Sequence, residues 1–298
     1  MGKKLICPLC LGSNVKIQYK RKDGKIYQCI NDGLFFLNPQ PRDKELFNIY
    51  NERYFEKEKN EKIITGYYRY IDEKNLFLDY FRKKIYLLKK YVKKGRLLDV
   101  GCSHGFLLEE AKKSGFDPIG IDISEYMVEY TKEHGYKAIH ADIKSAGFKD
   151  NYFDVVTAFQ VIEHLKNPKD FFKEVHRILK PGGIFMVATP NADGYLKKIL
   201  GKYLPTFKHR EHILFFSARP MLMALHDSKF VSVKILKDEV RFYPFSHFLG
   251  GLKYYLRNSN LNSLIENSSS VFEKLNILNI KLPVPLDTLL IICSKPYR

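Results

Sequence analysis

No run of about 18 apolar residues occurs anywhere in the 298-residue chain, so the sequence predicts no membrane-spanning helix. The opening Met1-Gly2-Lys3-Lys4-Leu5 has no apolar signal core and leads straight to a cysteine, which predicts a cytoplasmic protein. Residue 6 is Ile6, so the Ser or Thr that a myristoylation signal needs after Gly2 is missing. Cysteine is scarce: of five in the chain, Cys7, Cys10 and Cys29 crowd into the first thirty residues. That usage suits metal ligation in a reducing compartment and argues against a disulfide framework. Acidic residues are in short supply at both ends. Residues 1–96 hold 23 Lys/Arg against 11 Asp/Glu and residues 181–298 hold 16 against 8, whereas residues 97–180 hold 11 against 14. Basic flanks attract nucleic acid, anionic lipid headgroups or phosphorylated small molecules, or serve solubility alone; charge speaks to partners and not to fold.

What is present divides the chain into three. Residues 1–41 have the outline of a zinc ribbon, with a Cys7-Pro8-Leu9-Cys10 knuckle, a turn at residues 20–24, then Cys29 and, three residues on, Asp32. Cys7, Cys10, Cys29 and Asp32 are the candidate ligands. A Cys3Asp set is uncommon, and the alternative is a ribbon that kept its fold after losing its metal. Residues 42–95 predict a helical cap or lid. Within them Phe77, Phe81, Ile85, Leu88 and Val92 recur at helical spacing until Lys93-Lys94-Gly95 stops the helix, which is expected to cover one face of a sheet. Tyr67, Tyr68 and Tyr70 either fold over a ligand or serve as packing.

From residue 96 to 298, strands at 97–100, 118–123, 137–140, 153–159 and 184–188 alternate with helices. This predicts an α/β fold: a doubly wound, mostly parallel sheet with right-handed crossovers. Insertions near 191–212 and 237–287 interrupt it. In the second, Phe245, Phe248, Leu249, Leu252 and Leu256 form an apolar helical stripe beside Lys253 and Arg257. It reads as core packing, or as a face that meets a membrane surface or a greasy acceptor.

The chemistry gathers at strand ends, where open α/β sheets bind ligands. After Leu97-Leu98-Asp99-Val100, Gly101 and Gly105 let the chain turn into a helix whose amides and dipole point at whatever lies there. Asp122 and Asp142 close the next two strands. Asp122 suits a ribose diol. Asp142 with Ile143 suits an adenine ring, the carboxylate taking the exocyclic amine and the aliphatic side chain lying on the ring. The third glycine of a dinucleotide fingerprint is missing, with Leu107 and Leu108 in its vicinity. An acid before the glycines, Asp99, suits a ligand with an ammonium group. Together these point to S-adenosylmethionine rather than a nicotinamide dinucleotide.

The stretches LLDVGCSHGFLL (97–108), GIDIS (120–124), ADI (141–143), FDVVTAFQVIEHL (153–165), LKPGGIFMVATPN (179–191) and LLIICSKP (289–296) resemble a class I S-adenosylmethionine-dependent methyltransferase. The branch is that of quinone, sugar and natural-product methyltransferases, and the front end is similar to a subset with an N-terminal zinc-binding ribbon. The resemblance implies a seven-stranded Rossmann-like sheet. It implies that Gly101, Cys102 and Gly105 wrap the methionine part, with Asp122 and Ile123 on the ribose and Asp142 and Ile143 on the adenine. Phe159 and Gln160 would then line the site near the sulfonium. Cys102 also reads as a small buried filler. The departures are Ser103, where the family has glycine, and Asp32, where the subset has cysteine.

A hydroxyl acceptor must lose a proton, and His164, just past the fourth strand, is the candidate base, with a structural hydrogen bond as its other meaning. His209 and His212 are second candidates. The sequence thus predicts methyl transfer to a hydroxyl of a small molecule, either a sugar or glycan precursor or a quinone-like or lipid-linked acceptor. Peripheral membrane contact is its accompanying variant. The alternatives are a zinc-ribbon RNA methyltransferase and a non-catalytic S-adenosylmethionine-binding protein.

Overall fold

The structure is a computed structural model and describes residues 5–42, 45, 74–207, 211–237, 240–244, 281–285 and 287–297. Tyr67, Tyr68, Tyr70, His209 and the stripe from Phe245 to Leu256 lie outside the described residues. The chain divides into two compact units. One comprises Met1–Glu52, Lys74–Lys237 and Asp287–Arg298; the other comprises Arg53–Glu73 and Asp238–Leu286. In the second unit the described residues form an antiparallel pair, Val240–Pro244 against Lys281–Pro285.

The first unit is built on two sheets. The front three strands are β1 (Val15–Arg21), β2 (Gly24–Cys29) and β3 (Phe35–Asn38), each antiparallel to the next. The main sheet takes β4 (Gly95–Val100), β5 (Phe116–Asp122), β6 (Ala138–His140), β7 (Phe153–Phe159) and β8 (Leu179–Pro190), all in parallel register. A short strand, β9 (Leu214–Phe215), belongs instead to the front sheet, where it pairs with β3. The main sheet is completed by Val231–Lys237 and Thr288–Ser294, the latter antiparallel to both the former and β8. The resulting seven-stranded, mostly parallel sheet is the predicted Rossmann-like architecture.

Strands covered on both faces must be apolar throughout. Leu97, Leu98, Val155, Val156, Phe185 and Met186 are accordingly fully buried. Helix α1 (Lys74–Leu88) buries Phe77, Leu78, Tyr80, Ile85 and Leu88, and Ile85 and Leu88 join Leu97 and Leu107 in one apolar cluster. Helix α2 (Phe106–Lys113) starts after Gly105, at φ +73°, and helix α3 (Glu125–Glu133) is capped by Ser124, whose hydroxyl accepts from Met127 N. Pro168 opens helix α4 (Pro168–Ile178), where its missing N–H costs nothing.

One expectation is corrected. The strand expected at 184–188 starts earlier, with Lys180-Pro181-Gly182-Gly183 as the bulged beginning of β8. Gly182 takes φ +75°, the register against β7 slips between Phe153 and Val155, and Gly182 N donates to Lys295 O. Pairing with the chain's last strand holds extended what local glycine and proline would bend.

Candidate active site at the carboxyl ends of the parallel strands

Gly101 has φ +74°, and a Cβ there would lie 2.6 Å from Val161 Cγ2. The tight turn and the close approach of the next loop therefore both require glycine. Ser103 occupies a left-handed conformation as well, φ +44°, which is why glycine is usual there. Its strain is offset by an amide bond to Asp122 Oδ2 at 2.9 Å and a hydroxyl contact with His104 Nδ1 at 3.0 Å. Cys102 is buried. Its amide donates to Ile121 O, its carbonyl accepts from Gly105 N, and its sulfur packs against Gly120. Burial raises its thiol pKa well above the usual range, so its role in the structure is to brace the turn.

The three acids have distinct environments. Asp99 is buried, accepts from Thr157 Oγ1 at 2.7 Å, and burial pushes its carboxyl up to about 7. Asp122 accepts Ser103 N through one oxygen and Ser124 N through the other, both at 2.9 Å. A carboxylate has about four lone-pair sites, so acceptor capacity for a diol remains. Asp142 is exposed, and its Oδ1 takes the amides of Lys144 and Ser145 while Oδ2 makes neither bond. Ile143 is packed in the main apolar cluster with Val100 and Ile121, whereas Ile123 is 38% exposed at the strand end. The residues present thus fit an aminoacyl–nucleoside cofactor: a glycine-lined turn at a helix start, a buried acid beneath it, and two further acids in sequence along the sheet edge.

Phe159 closes β7, with Tyr80 and Phe81 of α1 against it edge-on at 6.2 and 5.6 Å. Gln160 follows with φ +56°, its amide donating to Ala188 O. A non-glycine residue in that region is strained, and strain concentrates at sites of function. Next, Ile162–His164 form a single 3-10 turn. His164 Nδ1 bonds Glu211 O at 3.0 Å, which places its proton on Nδ1 and leaves Nε2 as the basic nitrogen. The His212 ring lies 4.9 Å away, edge to face, its own Nδ1 within 3.2 Å of Thr206 O.

The Methyltransferase domain family matches residues 71–234. This chain belongs to the class I S-adenosylmethionine-dependent methyltransferases. It is an S-adenosylmethionine-dependent enzyme of that family. Among curated relatives, an uncharacterized protein of Methanocaldococcus jannaschii is 29% identical over 58% of this chain and 82% of its own length. The ubiquinone biosynthesis O-methyltransferases of Methylococcus capsulatus and Pelagibacter ubique are 34% and 35% identical over 36% and 47% of this chain. This chain spans 48% and 62% of their lengths. Among solved structures, a methyltransferase from Archaeoglobus fulgidus superposes with TM-score 0.52 at 22% identity, covering 77% of this chain and 100% of its own. One from Thermotoga maritima does so with TM-score 0.54 at 18% identity, covering 84% and 99%. At such identities these two speak to the fold alone.

Among the described residues, two side-chain clusters could hold a metal ion. In the ribbon, the ligand atoms of Cys7, Cys10, Cys29 and Asp32 all lie within 4.8 Å of one another. Asp32 is fully buried, with Cys7 Sγ 3.1 Å from Oδ2 and Leu34 N 2.8 Å from Oδ1. That second bond repeats the knuckle pattern of the cysteines, where Leu9 N donates to Cys7 Sγ and Gly12 N to Cys10 Sγ. A buried carboxylate among three thiols is costly without a cation, so the donor set fits zinc. The other cluster is Glu163, His164 and His212.

Glu163 is a buried acid of this cluster to which the sequence gives no role of its own. It is 1% exposed, Oε2 accepts from Thr189 Oγ1 at 3.0 Å, Oε1 has no partner among the described residues, and burial pushes its carboxyl up to about 8. The signal was its flanks: an acid set in Val161-Ile162-Glu163-His164-Leu165, between apolar residues, at the end of a buried strand. Thr189 and Thr206, which hold Glu163 and His212, gave no signal, because only the tertiary fold brings them there.

Proposed function

We propose that the enzyme transfers the methyl group of S-adenosylmethionine to a hydroxyl of a small molecule, a sugar or glycan precursor or a quinone-like, lipid-linked compound. What carries the reading is the pairing of basic nitrogens with a buried acid: His164 and His212 beside Glu163, just past Phe159 and Gln160. A neutral amine is already a competent nucleophile without such a base, whereas a hydroxyl must give up its proton as it is methylated. The name carried by the ubiquinone relatives supports the same chemistry.

Bound S-adenosylmethionine supplies an electrophilic methyl on a sulfonium. Asp99 and the Gly101–Gly105 turn hold its amino-acid end, Asp122 its ribose and Asp142 its adenine. Asp99 carries a proton near neutrality in the free protein, and a bound ammonium would draw it to the ionised form. Tyr80, Phe81 and Phe159 exclude water from that side. His164 Nε2 accepts the acceptor's proton, the Glu211 carbonyl stabilises the imidazolium through Nδ1–H, and the new positive charge draws the buried Glu163 carboxyl toward the ionised form that offsets it. General-base assistance of this kind is worth ~10²–10⁴-fold. Holding the hydroxyl in line contributes on the order of 7–11 kcal/mol more. The same three side chains would suit a divalent cation that acidifies the hydroxyl instead, a variant favoured by Glu163 Oε1, which has no partner among the described residues.

The ribbon completes the reading as a structural zinc site of Cys7, Cys10, Cys29 and Asp32 in a protein of the reducing cytoplasm. An RNA methyltransferase is the second reading, favoured by the exposed Lys16, Lys20, Lys22 and Lys25 on the β1–β2 hairpin. The test is transfer of labelled methyl from S-adenosylmethionine into a source-cell extract, then fractionated. Label in the organic-soluble or water-soluble small-molecule pool is expected, and the pool tells lipid-like from sugar-like acceptors. Nuclease-sensitive label would overturn the reading in favour of RNA.

A further inference from the structure

The ribbon's last strand does not end at the ribbon. Strand β3 pairs with β9, Phe35 opposite Phe215 and Phe36 opposite Leu214. One residue earlier, Leu37 N donates to Ile213 O at 2.8 Å, and Ile213 N donates to Glu163 O at 2.9 Å. A line of main-chain bonds thus runs from the ribbon through Ile213 to the residue beside His164. A second line is made by side chains. Arg21, at the end of β1, donates from Nη1 to His212 O at 2.9 Å. Its guanidinium is fixed by both oxygens of Asp23 at 2.6 Å. Residues 211–213 are therefore a strap gripped from two sides, by the ribbon and by His164 Nδ1 on Glu211 O. Phe207 wedges beneath it against Tyr19 and Phe35, at 5.1 and 5.9 Å.

The candidate ligands bracket the turn that launches β3. Cys29 ends β2, Cys29 N donates to Leu34 O, Gly33 N donates to Cys29 O, and Asp32 caps Leu34 N. Leu34 and Phe35 anchor the far side of that turn in the main core, while its near side, at Cys29 and Asp32, converges on the candidate ligands, where a bound ion would act as a staple.

We propose that the ribbon's metal site is a positioning device for the acceptor half of the active site, with Arg21 as the positioning residue for His212. Metal occupancy sets the Cys29–Leu34 turn, the turn sets β3, and β3 with Arg21 sets the strap that carries His212 and backs Glu163–His164. The cofactor half, on α2 and the ends of β4 and β5, lies outside both lines of bonds. The proposal rests on zinc occupancy of the ribbon, and the experiment separates the two.

The full-length protein is prepared zinc-loaded, after chelator treatment, and as Arg21→Ala, Arg21→Lys and Asp32→Ala. Each is assayed for zinc content, S-adenosylmethionine affinity by calorimetry and amide exchange by peptide mass. Imidazole signals are read from ¹⁵N-histidine spectra. Arg21→Ala is expected to keep its zinc, speed exchange at residues 211–216 by about tenfold or more, and leave exchange at 97–108 unchanged. Its His212 and His164 signals should move, and Arg21→Lys should restore them in part, since lysine lacks the fork that spans Asp23 and the carbonyl. Chelation should reproduce the exchange change with cofactor affinity held within about twofold. Zinc removal that leaves residues 211–216 and the imidazoles unmoved would overturn the proposal while the zinc site stood. A protein that never binds zinc would sink the metal link, yet Arg21→Ala would still decide the strap. Asp32→Ala, which could unfold the ribbon outright, is read only against Arg21→Ala.

Discussion

Asp99 and Glu163 both carry a carboxyl lifted by burial, to about 7 and about 8. The sign of their effect on stability follows from linkage. A carboxyl whose folded pKa exceeds its unfolded value contributes most below the unfolded value, and that contribution is lost as pH rises through the folded one. Between about pH 4 and pH 8 these two carboxyls should therefore cost stability as pH rises, a slope opposed over the lower part of that range by buried His104, whose pKa burial lowers to about 4. Asp99→Asn should flatten part of that slope, because asparagine keeps the acceptor for Thr157 without an ionisable group. It should also weaken S-adenosylmethionine binding by removing the partner of the ammonium. Thermal melts across this range, with and without cofactor, check both effects; a slope equal to wild type would mean that Asp99 stays ionised in the fold. At His164 the expectation is kinetic. His164→Ala should leave cofactor affinity intact and lower turnover by ~10²–10⁴-fold, read as label incorporated into the responsive extract pool. Full turnover in that variant would reduce the Glu211 contact to a structural one.

At the scale of elements, the βα units were legible because each carries its own punctuation. Gly101 and Gly105 mark one turn, Ser124 caps α3, Pro168 opens α4, and runs such as Leu97-Leu98 or Val155-Val156 read as strands covered on both faces. What was not legible depended on partners far along the chain. The bulge at Gly182 is held by Lys295, and β3 finds β9 across some 180 residues, so neither leaves a local pattern. Glu163 was hidden for the same reason: Thr189, which receives it, lies at the end of another strand. Strand β5 offers a test of how the cofactor turn is supported. A Cβ at Gly120 would meet Cys102 Sγ at 2.5 Å and Leu108 Cδ1 at 3.0 Å. Gly120→Ala should therefore destabilise by ~1–3 kcal/mol through overpacking and loosen S-adenosylmethionine binding by displacing the turn. Urea denaturation and calorimetry give the two numbers, and wild-type values for both would show that Cys102 moves aside freely.

Across the whole molecule the formal charge is +17, with the cations concentrated in the flanks rather than in residues 97–180. Such a field holds any polyanion weakly, so the question is whether that attraction directs the chemistry. On the ribbon, Lys20 stands directly opposite Lys25, a like-charge pair that costs stability unless an anion bridges it. The third strand faces inward: Phe35, Phe36 and Leu37 are buried, and β3 is paired with β9. A domain that exists only to grip RNA has no need to pair its third strand with β9, just after the segment that carries His212. The triple variant Lys20→Glu, Lys22→Glu, Lys25→Glu separates the two uses, because these side chains are exposed and lie outside the candidate metal cluster. If the ribbon is a wall, the variant should lose nonspecific RNA binding and its steep salt dependence while labelling the same small-molecule pool at the wild-type rate. If the ribbon is an anchor, methyl transfer should fall together with RNA binding, and raising the salt on the wild type should reproduce that fall.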